Sequence, residues 1–256
     1  MSMRLKFKEF ILILPVFLGI HFLTSTFAYG EEDRNKCEKT DIVFAIDTTY
    51  SLSSTIYDIK VELEDILDRL DYLSDGKLRL GLITFKDEIY IQEDLNDFPN
   101  LRQKKESIFE KIYEIRAEGG GGGPEASDET LNTILNSLPA QNRSQDSDFT
   151  GKFEADTKII ILITDNLPGG FDDQFKQGID DKNAASHALL AAEQGVLISA
   201  IYTPTSYFSN DEITENIMRD YALITGGLYI KISSSGQGAA QAIMDIINAC
   251  GRRPMV

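Results

Sequence analysis

The sequence predicts a doubly wound α/β fold, with a mostly parallel six-stranded sheet, one antiparallel edge strand, and helices on both faces. Three observations carry that expectation. Apolar runs at 42–46, 159–163 and 196–201 are continuous rather than alternating, as in strands buried on both faces of a parallel sheet. Amphipathic stretches separate them. The break Lys86-Asp87 divides 77–85 from 88–91, short enough for a hairpin and hence an antiparallel pair.

Taken in order, the strand at 42–46 runs into Asp47 and a short polar turn. A long helix follows, because Leu52, Ile56, Ile59, Leu63, Ile66, Leu70 and Leu73 recur at alternate steps of four and three while charged residues fill the other faces. After the hairpin, helices are expected at about 98–117 and 124–138, the latter opened by Pro124 at a first-turn position. Three rounds of strand and helix complete the order, with helices near 182–194, 211–224 and 237–250 and a last short strand at 228–230. Between them, 140–156 reads as a long polar surface loop.

The first thirty residues form a separate unit. A basic start is followed by an apolar run from Phe10 to Leu23 and small residues to Ala28, the layout of a secretory signal. Cleavage after Ala28 and cleavage after Gly30 both fit. A membrane anchor is the alternative, but Pro15 and His21 interrupt a run already short for a bilayer. The expected organisation is therefore a signal at 1–30, a linker at 31–36, one α/β domain at 37–250 and a tail at 251–256. A mature chain without a transmembrane segment, secreted to the exterior or periplasm, follows.

Charge and composition narrow the function. A net charge of −16 gives no attraction to phosphate backbones, so nucleic acid is not an expected partner. With only His21 and His187, and with Cys37 and Cys250 as the two cysteines, a multi-histidine zinc site cannot be built. In an exported chain an even cysteine count favours a Cys37–Cys250 bridge across nearly the whole domain, with two buried thiols as the alternative.

Two strands end on an aspartate, Asp47 and Asp165, at the sheet edge where ligands gather in open α/β folds. Asp47, Thr49 and Ser51 stand at alternate positions of an extended turn, so their oxygens point to one side. Such a set suits a hard divalent cation of the Mg²⁺ type. Helix capping explains one of these residues but not hydroxyls at both alternate places together with a second strand ending in Asp.

Together these features resemble a von Willebrand factor A-type domain. The carriers are a hydrophobic strand, Asp47-x-Thr49-x-Ser51, an amphipathic helix, a Gly-rich loop with Pro124-Glu125, Ile-Thr-Asp165, and Thr225-Gly226-Gly227, spanning about Lys39 to Cys250. The resemblance implies a metal-ion-dependent adhesion site for Mg²⁺ (or Mn²⁺ or Ca²⁺), lined by Asp47, Thr49, Ser51 and Asp165. An open coordination position would accept a carboxylate from a partner protein. Where similar members read Gly-Gly-Gly-Asp-x-Pro-Glu, this chain has Gly122 in place of the Asp. Glu125 is the candidate substitute, directly or through water; a helix dipole explains a Glu there equally well. A partner-binding rim is expected from Tyr50, Asn166, Leu167, Phe171, Tyr207 and Phe208.

The expected function is thus a secreted or surface-exposed binding module for adhesion or assembly, without a small-molecule cofactor. The alternatives are a metal-independent scaffold of the same fold and a metal-dependent hydrolase. Against catalysis, the place two residues after Asp47 holds Thr49 rather than a second Asp, and Gly119–Gly123 leads into Pro-Glu rather than the Lys-Ser/Thr of a phosphate-binding loop. His187 lies in an Ala/Leu-rich helical stretch, the setting of a structural imidazole.

Overall fold

A computed structural model describes residues 36–96, 101–120, 123–172, 174–205 and 211–252. The expected signal, Gly122, Tyr207, Phe208 and the end of the tail lie outside the described residues. Six strands form one sheet: β1 (Thr40–Asp47), β2 (Leu78–Phe85), β3 (Ile89–Asn96), β4 (Thr157–Thr164), β5 (Leu197–Tyr202) and β6 (Tyr229–Lys231). Their spatial order is β3-β2-β1-β4-β5-β6, all parallel except β3, which runs antiparallel to β2. The order reverses direction at β1, so the crevice between the ends of β1 and β4 is the place where this topology collects ligands.

Alternation along β1 builds two cores. Ile42, Phe44 and Ile46 face one side, while Val43 and Ala45 face the other. On the first side lie α1 (Ser53–Val61), α2 (Leu63–Ser74), α3 (Leu101–Glu114) and α7 (Ala239–Asn248); on the second lie α4 (Ser127–Asn136), α5 (Asp180–Glu193) and α6 (Asp211–Thr225). Every residue of β1 and β2 is buried, which is why their sequences are continuous apolar runs broken only by residues with polar partners.

Three local expectations are corrected. The long helix after Ser51 is two helices behind a 3-10 turn at Tyr50–Leu52, because Glu62 leaves the helical region at φ −104° and ψ 12°. The apolar stripe runs unbroken across Glu62, so both segments bury the same side against the sheet. The helix expected from Pro124 starts at Ser127 instead. Pro124 and Glu125 are held extended: the Glu125 N–H donates to the Leu167 carbonyl (2.9 Å) and its carbonyl accepts from Gly169 (2.9 Å), so neither group is free for a helical turn. Finally, the loop at 140–156 does more than cover the surface. Phe149 is buried in the second core, and Ile89 at the β3 edge pairs with Gln145. Gln145 Nε2 ties the loop's two sides by donating to the Leu138 and Ser147 carbonyls.

At the end of the sheet opposite the crevice, Cys37 and Cys250 form a disulfide, with their Cα atoms 5.3 Å apart. No described helix is long and apolar enough to cross a membrane.

Candidate metal centre

Asp47 is the last residue of β1 and Asp165 directly follows β4, its parallel neighbour, so the sheet sets the two carboxylates side by side. Both are almost wholly buried. Asp47 Oδ1 accepts from the Thr49 N–H (2.9 Å) and the Thr49 hydroxyl (2.7 Å), and Oδ2 accepts from the Thr164 hydroxyl (2.7 Å). The Thr49 and Ser51 hydroxyls lie 3.0 Å apart. The turn therefore converges as its spacing implies, with Asp47, Thr49 and Ser51 on one side.

Asp165 Oδ2 accepts from the Thr205 hydroxyl, but its Oδ1 is buried with no hydrogen-bond partner among the described residues. Burial and the neighbouring Asp165 charge push the Asp47 carboxyl up to about 7, against the pull of the Thr49 and Thr164 donors. Burial likewise raises Asp165, opposed by the hydroxyls of Thr205 and Ser51 that face it and by Asp47. Among the described residues no cationic side chain pairs with these two buried acids, and burying an uncompensated charge is costly, so the arrangement is one that a cation could complete.

Gly119 and Gly120 lie against this turn. Gly120, at φ +79°, presses so closely on Thr49 that a Cβ there would sit 2.6 Å from the Thr49 methyl and 3.4 Å from Glu125 Oε1. Glu125 is thereby placed beside Thr49, 1% exposed. Its position comes from the extended pairing with 167–169 rather than from a helix's first turn, so the dipole argument does not account for it.

Among the expected rim residues, Tyr50 stands open to solvent at 71% exposure, whereas Asn166 and Leu167 are buried, at 7% and 3%. The Asn166 amide donates to the Gly123 carbonyl and anchors the loop, and Leu167 packs in the second core. Phe171 packs against that core with the Arg143 guanidinium 5.3 Å from its ring centre. His187 lies among Glu129 and Arg143, its pKa lowered by burial. Sequence reasoning missed Thr164 and Thr205 as donors. Thr164 had a visible signal, standing directly before Asp165; Thr205 had only its place just past β5. Among the described residues, no group of three or more His, Cys, Asp or Glu side chains gathers to hold a metal. A cation here would be held by two carboxylates and a ring of hydroxyls, a donor set made wholly of oxygen, which fits a hard divalent ion.

Comparison with known proteins adds family evidence to this geometry. The family model of the von Willebrand factor type A domain matches residues 41–243. No curated protein sequence matches the chain. Among solved structures, proximal thread matrix protein 1 from the mussel byssus is similar with a TM-score of 0.57 and 20% identity. The match covers 84% of this chain and 47% of the mussel one, so the chain spans about half that protein's length. Another structure of the mussel protein, described as having a zinc-occupied MIDAS motif, matches at 18% identity and TM-score 0.55 over 84% of this chain and 47% of that one. The vWF domain of the type V pili tip protein Mfa5 from Porphyromonas gingivalis is similar at 12% identity and TM-score 0.55, over 85% of this chain and 97% of that one. At these identities the solved structures speak for the fold.

Proposed function

Since the chain belongs to the von Willebrand factor type A domain family, we propose that it is a protein-binding module for adhesion or assembly. In this reading it takes an acidic group of a partner protein through a Mg²⁺-type divalent ion, with Mn²⁺ or Ca²⁺ as alternatives. One observation carries the proposal: Asp47 and Asp165 are buried side by side, with Asp165 Oδ1 making no hydrogen bond among the described residues. Asp47, Thr49, Ser51 and Asp165 would hold the ion, with Glu125 near enough to Thr49 to contribute an oxygen directly or through water. When bound, the ion supplies a positive centre that accepts a carboxylate at a coordination position the protein leaves open. The chain's own residues do the positioning. Thr164 and Thr205 fix one oxygen of each aspartate, and the Thr49 N–H and hydroxyl fix the other oxygen of Asp47. Tyr50, exposed beside them, offers a contact for the partner.

Export is part of the same proposal. It is supported by the signal-like residues 1–30 and by the Cys37–Cys250 bridge, which is at home in an oxidising compartment. Titration calorimetry with MgCl₂ tests the metal: binding is expected for the wild-type chain and is expected to be lost in Asp165→Ala. Saturating Mg²⁺ at a hundredfold over its dissociation constant should add about 2.7 kcal/mol of stability. The absence of both heat and stabilisation would overturn the metal reading in favour of a metal-independent scaffold.

A further inference from the structure

Beside the metal centre lies a second, polar recess. A cleft of about 390 Å³ opens between the ends of β2 and β3 and the segment following α3, and Thr48 forms part of its wall. Because successive residues of an extended turn face opposite ways, Thr48 turns from the side that Asp47 and Thr49 occupy. Its hydroxyl donates to the Phe85 carbonyl, and its own carbonyl accepts from the Glu118 N–H (3.0 Å). The cleft and the metal centre are thus the two sides of one short turn.

The cleft differs in charge from the rest of the molecule. Lys86, Lys111 and Arg116 line it beside Glu114 and Glu118, so that with Lys111 paired to Glu93 two cationic and two acidic side chains remain, in a chain of net charge −16. Lys111 is already occupied, by Glu93 at 2.7 Å and the Gln92 carbonyl. Lys86 and Arg116 have no side-chain ion pair or hydrogen bond among the described residues. The Lys86 ammonium stands 3.8 Å from where a Cβ on Gly119 would lie, and the Gly119 carbonyl accepts from the Tyr50 N–H at the rim of the metal centre. Tyr90 and Gln92 also line the β3 wall, the Tyr90 hydroxyl donating to Glu88 Oε2 (2.9 Å) and the Gln92 amide to the Thr84 hydroxyl (3.1 Å).

We propose that this cleft binds a second carboxylate of the same partner protein, through Lys86 and Arg116, while the metal centre takes the first. The inference rests on the reading of the metal centre given above and assigns the partner a chemistry: two acidic side chains presented together on one surface. A single acid would satisfy only the metal. The Lys86 and Arg116 side chains favour partners with a neighbouring acid over singly acidic ones, despite the domain's overall negative charge.

The test uses the full chain and glycine peptides carrying either one aspartate or two separated by glycine spacers of varying length. Binding is followed by calorimetry and by backbone amide shifts in Mg²⁺ buffer and in chelator. In Mg²⁺ the best two-aspartate peptide is expected to bind about tenfold more tightly than the one-aspartate peptide, with shifts at Thr48, Lys86 and Gln92. In the double variant Lys86→Gln, Arg116→Gln that advantage should disappear while the one-aspartate affinity and the thermal midpoint stay as in wild type. Equal affinities for the two peptide classes in wild type, with chelator still abolishing both, would overturn the cleft and leave the metal reading standing. Conversely, two-aspartate binding that survives chelator and Asp165→Ala but is lost in the double variant would uphold the cleft and overturn the metal reading.

Discussion

Strand β1 carries a buried aspartate near each end, and the molecule treats the two in opposite ways. At its beginning, Asp41 accepts from Arg79 Nε (2.8 Å) and Nη2 (2.6 Å), and from the Glu154 and Ala155 N–H groups (2.6 and 2.9 Å). At its end, Asp47 meets hydroxyls, one N–H and another carboxylate. Asp41 is neutralised and hydrogen-bonded within the chain; it ties β1 to β2 and to the loop before β4. Asp47 and Asp165 have their geometry fixed but their charge left uncompensated. Burial alone therefore does not mark a functional acid. What separates the two ends is whether the chain itself supplies the counter-charge.

The largest expected effect breaks the structural end. Arg79→Met strands Asp41 as a buried, unpaired charge and should cost about 3 to 5 kcal/mol in urea unfolding, with the deficit unchanged by Mg²⁺. A loss that Mg²⁺ restores would mean that the two ends are energetically joined, against the contrast drawn here. The next sharpens the functional end. Because the metal-free Asp47 carboxyl sits at about 7 and an ion binds its ionised form, Mg²⁺ affinity should weaken as pH falls through 7, approaching about tenfold per pH unit below it. The same raised value fixes the sign for the metal-free fold: the native state holds this proton more tightly than the unfolded chain, so Asp47 detracts from stability increasingly as pH rises from about 4 to 7. Calorimetric titrations at pH 5, 6 and 7.5 read the affinity; a flat profile contradicts it. The smallest change is Thr49→Val, which keeps the shape but removes the hydroxyl that donates to Asp47 and touches Ser51. About 1 kcal/mol of Mg²⁺ affinity should go with it, measured by the same titration, with the fold retained in circular dichroism.

The contrast also explains what could be read from the sequence. The mostly parallel sheet, its antiparallel strand and the helix faces were legible because continuous and three-four apolar patterns are local records of burial. So was the turn from Asp47 to Ser51, whose convergence follows from alternation over a few residues. The break at Glu62 was not, since the apolar stripe passes through it unchanged. Nor was the partner of Asp41, which depends on the β1–β2 register that sets Asp41 across from Arg79. Thr205 reaches Asp165 only because β5 lies beside β4, a neighbour relation absent from the linear order. Glu125 was singled out as a candidate, but the extended pairing that positions it lies in contacts with 167–169 and could not be inferred from its place before an apolar helix.

The Cys37–Cys250 bridge has a mechanical consequence. Tension applied between the segment before residue 37 and the segment after residue 250 crosses from one to the other through a single covalent link, 5.3 Å from Cα to Cα. The sheet and its helices hang from that link as a side branch and carry none of the pull. A partner held at the crevice far from the bridge would instead load the fold directly, along the strands from their carboxyl ends, so resistance to rupture is decided at the partner's contact rather than at the chain ends.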